Sequence, residues 1–216
     1  MMRATLALVC AAALATPALA KPIAGQTDDL SIQSMHNFSV CVADETQRGA
    51  EELLALDYRS PEYAKKINRL AHGTSSRCAP GSAYRFNGML FAGGLAERLL
   101  IEKRDRTRFS HEVAYDVAKP PVEARNPAEL TAICVVRAEP TKTWALFQTE
   151  PTSREELTAL QAISPALVGC IPQGTKMAMN KPGLRAMLAL AAYRLAQPEP
   201  IASAAAKPIM GEPGSR

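Results

Sequence analysis

The sequence contains no C-x-x-C pair, so neither thiol exchange nor covalent haem attachment is signalled. It also lacks Gly-x-Ser-x-Gly and any phosphate-cradling glycine loop, which removes the two commonest signatures of a serine hydrolase and a nucleotide enzyme. Histidine is scarce. Of the three present, His36, His72 and His111, none stands at i, i+4 from another ligand of its type, and surface or capping roles are expected for them. Glu51-Glu52 and Glu155-Glu156 are adjacent pairs, and neighbours on a helix diverge by about 100°, so neither makes a two-carboxylate site. Past residue 20 no stretch approaches the 18 uninterrupted apolar residues of a membrane span. The formal charge of +4 is far from the clustered basicity of a nucleic-acid binder. These absences leave no predicted catalytic residue, cofactor or metal ligand.

What is present begins with a leader. Arg3 gives a positive start, Ala4 to Thr16 is apolar, and Ala18-Leu19-Ala20 offers a small-x-small cleavage site. Cleavage after Ala20 would send the chain to the periplasm or outside the cell with no transmembrane segment remaining. Cys10 follows Val9 rather than a small residue and is expected to leave with the leader.

Four cysteines remain, Cys41, Cys78, Cys134 and Cys170, and an even number in an exported chain reads as disulfides. Zinc would call for C-x₂₋₄-C spacing, which they lack. Placing Cys41 over Cys134 aligns Cys41-Val42 with Cys134-Val135, Leu53 with Leu146, Ser60 with Ser153 and Glu62 with Glu155. One residue fewer brings Cys78 onto Cys170, and a later insertion aligns Ala96-Glu97-Arg98-Leu99 with Ala192-Tyr193-Arg194-Leu195. A duplicated unit inherits a working local bond, so the predicted pairs are Cys41–Cys78 and Cys134–Cys170.

Each copy reads as a string of helices. Ser153-Arg154-Glu155-Glu156 has the form of a capping box, and Ser60-Pro61-Glu62 places proline at N1. Tyr63, Ile67 and Leu70, and Leu157, Leu160 and Ile163, then mark one helix face each. In the last helix of the second copy the stripe runs through Leu184, Met187, Leu188, Ala191 and Leu195, with Arg185 and Arg194 off it. Its counterpart carries Gly93-Gly94, which would suit another backbone packed closely against them, although a local kink is the simpler expectation.

The doubled Cys-Val … Ser-x-Glu … Cys … Ala-x-Arg-Leu pattern resembles exported helical proteins of Gram-negative bacteria with a duplicated cysteine-containing unit. The resemblance spans residues 38–196 and implies no activity.

The predicted fold is therefore all-α, two tandem copies of a multi-helix unit, each stapled by one disulfide. The divisions are a signal peptide at 1–20, a flexible segment at 21–33, a first helical repeat at 34–100, a linker at 101–127, a second repeat at 128–196 and a disordered tail at 197–216. Within the linker, Phe109, His111, Val113, Tyr115 and Val117 alternate with Ser110, Glu112, Ala114 and Asp116, which suggests an extended stretch. Trp144, the only tryptophan, is expected in the core or in a groove.

Lys103, Arg104, Arg106 and Arg108 are the one concentrated charge feature. They follow a helix end, where cations complement the dipole, and they are the candidate contacts to an envelope partner. The functional expectation is a non-catalytic exported protein that binds a partner or small ligand in a groove between its halves. The alternative is an envelope hydrolase whose polar residues cluster where the copies differ, near His111, Glu112 and Asp116.

Overall fold

A computed structural model describes residues 29–79, 86–117, 121–175 and 177–197, and among these it contains helices and no strands. The predicted leader, the turn at Gly81-Ser82 and all but the first residue of the predicted tail lie outside the described residues. In chain order the helices are α1 (Asp29–Glu45), α2 (Gln47–Leu54), α3 (Pro61–Cys78), α4 (Gly88–Lys103), α5 (Arg106–Val113), α6 (Pro127–Ala138), α7 (Pro140–Phe147), α8 (Arg154–Cys170) and α9 (Lys181–Leu195). α1 begins at Asp29, inside the segment read from sequence as flexible. None of these helices is long and apolar enough to cross a membrane.

Local chemistry sets most of the boundaries. Ser60 accepts a hydrogen bond from the Tyr63 amide at 3.1 Å, with Pro61 at the first helical position of α3. Asn126 caps α6 through the Glu129 amide at 2.8 Å, and Asn180 caps α9 through Gly183 at 2.9 Å. At α8, Ser153 Oγ accepts from the Glu156 amide at 3.0 Å as the capping box predicts. The return bond differs: Glu156 Oε2 accepts from the amide of Thr152, one residue before the cap, at 2.7 Å. Thr152 stands at φ 66°, a left-handed conformation unusual for threonine.

The core is organised around α4 and α9, which pack against each other more extensively than any other pair. α1 covers α4, α6 covers α9, and α8 lies against α6 and α7. Both central helices are buried nearly all round, with Phe91, Leu95, Leu99 and Leu100 on α4 and Leu188, Ala189, Ala191 and Ala192 on α9 inaccessible or almost so. A helix apolar on every side belongs in the interior rather than on a surface.

The two disulfides are Cys41–Cys78 and Cys134–Cys170, with Cα atoms 5.6 and 5.7 Å apart. They join α1 to α3 and α6 to α8. Closing loops of 37 and 36 residues stabilises by about 3.8 kcal/mol each in the chain-entropy account. Two such bonds fit an oxidising, extracytoplasmic compartment.

Three expectations are corrected. Residues 106–113 are helical, not extended: Asp105 caps α5 by accepting from the Arg108 amide at 2.8 Å. Phe109 and Val113, one turn apart, then share the buried face, and the Phe109 ring sits 5.2 Å from Trp144. The period of two was real in the sequence, but the i, i+4 pair inside it decided the outcome. At Gly93-Gly94, α4 runs through as one helix, and what the glycines provide is close approach. A Cβ on Gly93 would lie 2.6 Å from Ala186 Cα on α9, and one on Gly94 would lie 2.5 Å from Ser39 Cβ on α1. The third concerns His36, expected at the surface or at a cap, whose side chain is 18% exposed and faces the buried Glu97.

Candidate functional site

Two places concentrate polar chemistry: a buried charge cluster at the centre, and an open groove on one side.

The central cluster draws on α1, α4, α8 and α9. Arg185 Nη2 donates to Glu97 Oε1 at 2.7 Å, and its Nε donates to Glu97 Oε2 at 2.9 Å. Nη1 donates to Glu156 Oε1 at 2.9 Å and to Thr149 Oγ1 at 3.2 Å, and Nη2 donates again to the Thr149 carbonyl at 2.7 Å. All five guanidinium hydrogens are thereby used, the condition under which a buried arginine is tolerated. Burial pushes the Glu97 carboxyl upward, against the pull of the Arg185 hydrogen bonds. The α1 neighbour is His36, whose Nε2 lies 3.9 Å from Glu97 Oε1. Burial, reinforced by the Arg185 charge, lowers its pKa to about 4, so the ring is neutral near pH 7. The dent between these groups holds about 30 Å³, room for about one water. Gln33 on α1 donates to Thr152 Oγ1 at 2.7 Å and ties the same loop down. The cluster thus joins four helices and has little space for a substrate.

The groove is larger, about 930 Å³, and it runs between the end of α2 and the ends of α6 and α9. One wall is the end of α2 with Glu51, Glu52, Leu54 and Ala55; the other is the ends of α6 and α9 with Arg137, Tyr193, Arg194 and Leu195. Lys103, Arg104, Glu112, Asp116 and residues 121–123 and 125 close the remaining side. Its lining mixes both charge signs with apolar side chains. Burial, and after it the Glu51 charge, push the Tyr193 hydroxyl up to about 12, so it stays protonated and able to donate.

Most cations in the groove are already matched. Lys103 pairs with Glu51, and Arg104 pairs with Glu112 while donating to the Ala196 carbonyl at 2.7 Å. Arg194 pairs with Glu129 on α6, and Arg125 stands 4.0 Å from Asp57. Arg137 differs: its Nε is buried without a hydrogen-bond partner, and its guanidinium lies over the Tyr115 ring at 5.5 Å.

Of the residues singled out in the sequence, Lys103 and Arg104 line the groove, Arg108 pairs with Glu112 at 2.8 Å, and Arg106 is exposed. Glu112 and Asp116 are groove residues, whereas His111 is exposed outside its lining. His72 is exposed on α3. Trp144 is a core residue, 9% exposed. Sequence reasoning missed Arg137, whose place in the last turn of α6 reads as an ordinary complement to the helix dipole. It also missed Arg185 and Glu97, which nothing local announces. Among the described residues no group of three or more His, Cys, Asp or Glu side chains is placed to hold a metal ion. Compared with family models, curated proteins and solved structures, the chain matches none of them.

Proposed function

We propose that the chain is an exported, non-catalytic binding protein built on two copies of one four-helix unit, with its partner seated in the groove between them. Duplication is supported by helix order and length: α1 to α4 have 17, 8, 18 and 16 residues, and α6 to α9 have 12, 8, 17 and 15. In each set a disulfide joins the first helix to the third. The contacts repeat as well: α1 touches α2, α3 and α4, as α6 touches α7, α8 and α9, and α2 meets α3 and α4 as α7 meets α8 and α9. On this reading α5 is the inserted element.

The observation that carries the binding role is the groove itself. Its volume suits a peptide segment or a drug-sized ligand, and its walls come from both helix sets. The central cluster, by contrast, spends its donors on internal bonds. Photo-crosslinking in the native cell tests the proposal, with the reactive side chain placed at Ala55 or Glu123 in the groove or at Val168, exposed on α8 outside it. One discrete adduct from the groove positions and none from Val168 is expected; equal labelling from all three would reject it.

The hydrolase reading keeps one observation in its favour, that Glu112 and Asp116 share the groove. Alanine at His111, Glu112 and Asp116 separates the two. Loss of a turnover activity with adduct formation intact would support the enzyme.

A further inference from the structure

We infer that the groove recognises a carboxylate on a protein partner, an aspartate or glutamate side chain, through Arg137, with the Tyr115 ring against it and Tyr193 in the same groove. The inference rests on the groove reading and names the chemistry of what it takes. Its basis is an imbalance. Among the described residues, four of the five cations lining the groove have an acidic partner of their own: Lys103 with Glu51, Arg104 with Glu112, Arg125 near Asp57 and Arg194 with Glu129. Arg137 has none, and its Nε is buried without any acceptor.

A buried N–H left unmatched is unfavourable, and a guanidinium is an especially demanding case because its donors are fixed in one plane. The aromatic ring beneath it supplies only a face, with no oxygen in the plane of the donors. A carboxylate arriving from the groove would fill that plane. A neutral carbonyl would satisfy the donors without answering the charge, and a lysine would be repelled. The surroundings suit a protein partner: the Tyr115 ring against the guanidinium is 72% exposed, and aromatic and arginine side chains are enriched at interface centres. Tyr193 adds a hydroxyl that remains a donor throughout the physiological range.

The experiment follows the arginine Nε–Hε and backbone signals of the purified, oxidised full chain by NMR. Probes are a blocked acidic pentapeptide carrying two glutamates, its glutamine counterpart and its lysine counterpart. The acidic peptide should shift the Arg137 Nε–Hε signal and the Tyr115 and Tyr193 amides saturably, and the shift should shrink with added salt. Arg137→Gln should weaken binding by about ten-fold, and Arg137→Lys by less, while Arg69→Gln, exposed on α3 outside the groove, leaves it unchanged. Should Arg137→Gln disturb the fold, Tyr115→Leu gives a second test, since it removes the stacking face and leaves the charge.

Equal response to the glutamine or lysine peptide would overturn the carboxylate assignment. If those shifts map to Leu54, Val122 and Tyr193, the groove reading survives its loss; if they map outside the groove, both fail. Inorganic phosphate saturating the Arg137 signal at lower concentration than the peptide would also overturn it. So would a shift at Arg137 on Glu199→Gln with Glu212→Gln and no peptide, because the chain's own tail would then be the occupant.

Discussion

Glu97 and Arg185, 88 residues apart in sequence, meet in a two-pronged ion pair between the two central helices. Arg185 also grips Glu156 and the Thr149 carbonyl, so one side chain ties α4, α9 and the start of α8 together. Removing one member leaves buried charge without compensation. Arg185→Met should therefore cost about 3–5 kcal/mol in equilibrium urea unfolding, and Glu97→Gln somewhat less because the amide still accepts one bond. Replacing Glu97 and Arg185 together by methionine, with Glu156→Gln, should recover most of the loss. A triple variant no more stable than Arg185→Met would show that the cluster stabilises outright instead of fixing helix register.

Gly93 and Gly73 both sit inside helices, yet alanine should move stability in opposite directions at the two. A Cβ on Gly93 would meet the Ala186 backbone at 2.6 Å, whereas one on Gly73 would meet nothing within 4 Å. Gly73→Ala should gain up to about 1 kcal/mol from helix propensity. Gly93→Ala receives the same propensity gain but must push α4 and α9 apart, for a net loss of about 1–3 kcal/mol. Thermal unfolding of both variants checks the pair, and two shifts of the same sign would contradict the close approach.

This contrast shows how far the sequence could be read. The disulfide pairs, the Ser60 and Ser153 caps and the burial of Trp144 were legible, because each depends on local spacing or on a composition rule. The glycines were visible and close packing was one reading of them, but their partners were not, since Ala186 and Ser39 lie far away in the chain. Arg185 was missed for a related reason. Its position off the apolar stripe means solvent only when a helix has a solvent side, and α9 has almost none. Glu97 and Glu156 complete the cluster from distant segments with no shared motif. The groove was anticipated only in outline: its lining joins chain ends of α2, α6 and α9 that pattern reasoning treats separately.

The two disulfides make a direct thermodynamic prediction. Cys41→Ser with Cys78→Ser, and separately Cys134→Ser with Cys170→Ser, should each lower unfolding stability by about 2–5 kcal/mol. Non-reducing peptide mapping of the parent should recover Cys41–Cys78 and Cys134–Cys170 and no free thiol among these four. Any Cys41–Cys134 peptide would contradict the fold.

His36 supplies a pH dependence whose sign is fixed by burial. Its pKa falls from 6.5 to about 4 in the folded chain, so the fold prefers the neutral ring. The contribution is complete above pH 6.5 and is lost as pH drops from there toward 4, amounting to about 3 kcal/mol at most. Arg185, Glu97, Glu150 and Glu156 all face this ring or its charge, and their own titration continues whatever stands at position 36. The useful measurement is therefore a difference: urea midpoints from pH 7.5 to 4 for the parent and for His36→Gln. The parent should lose stability more steeply below pH 6.5, with the gap between the curves opening by up to about 3 kcal/mol near pH 4. Parallel curves would mean the imidazole is hydrated enough to titrate normally, and the packing of α1 against the central cluster would need revision.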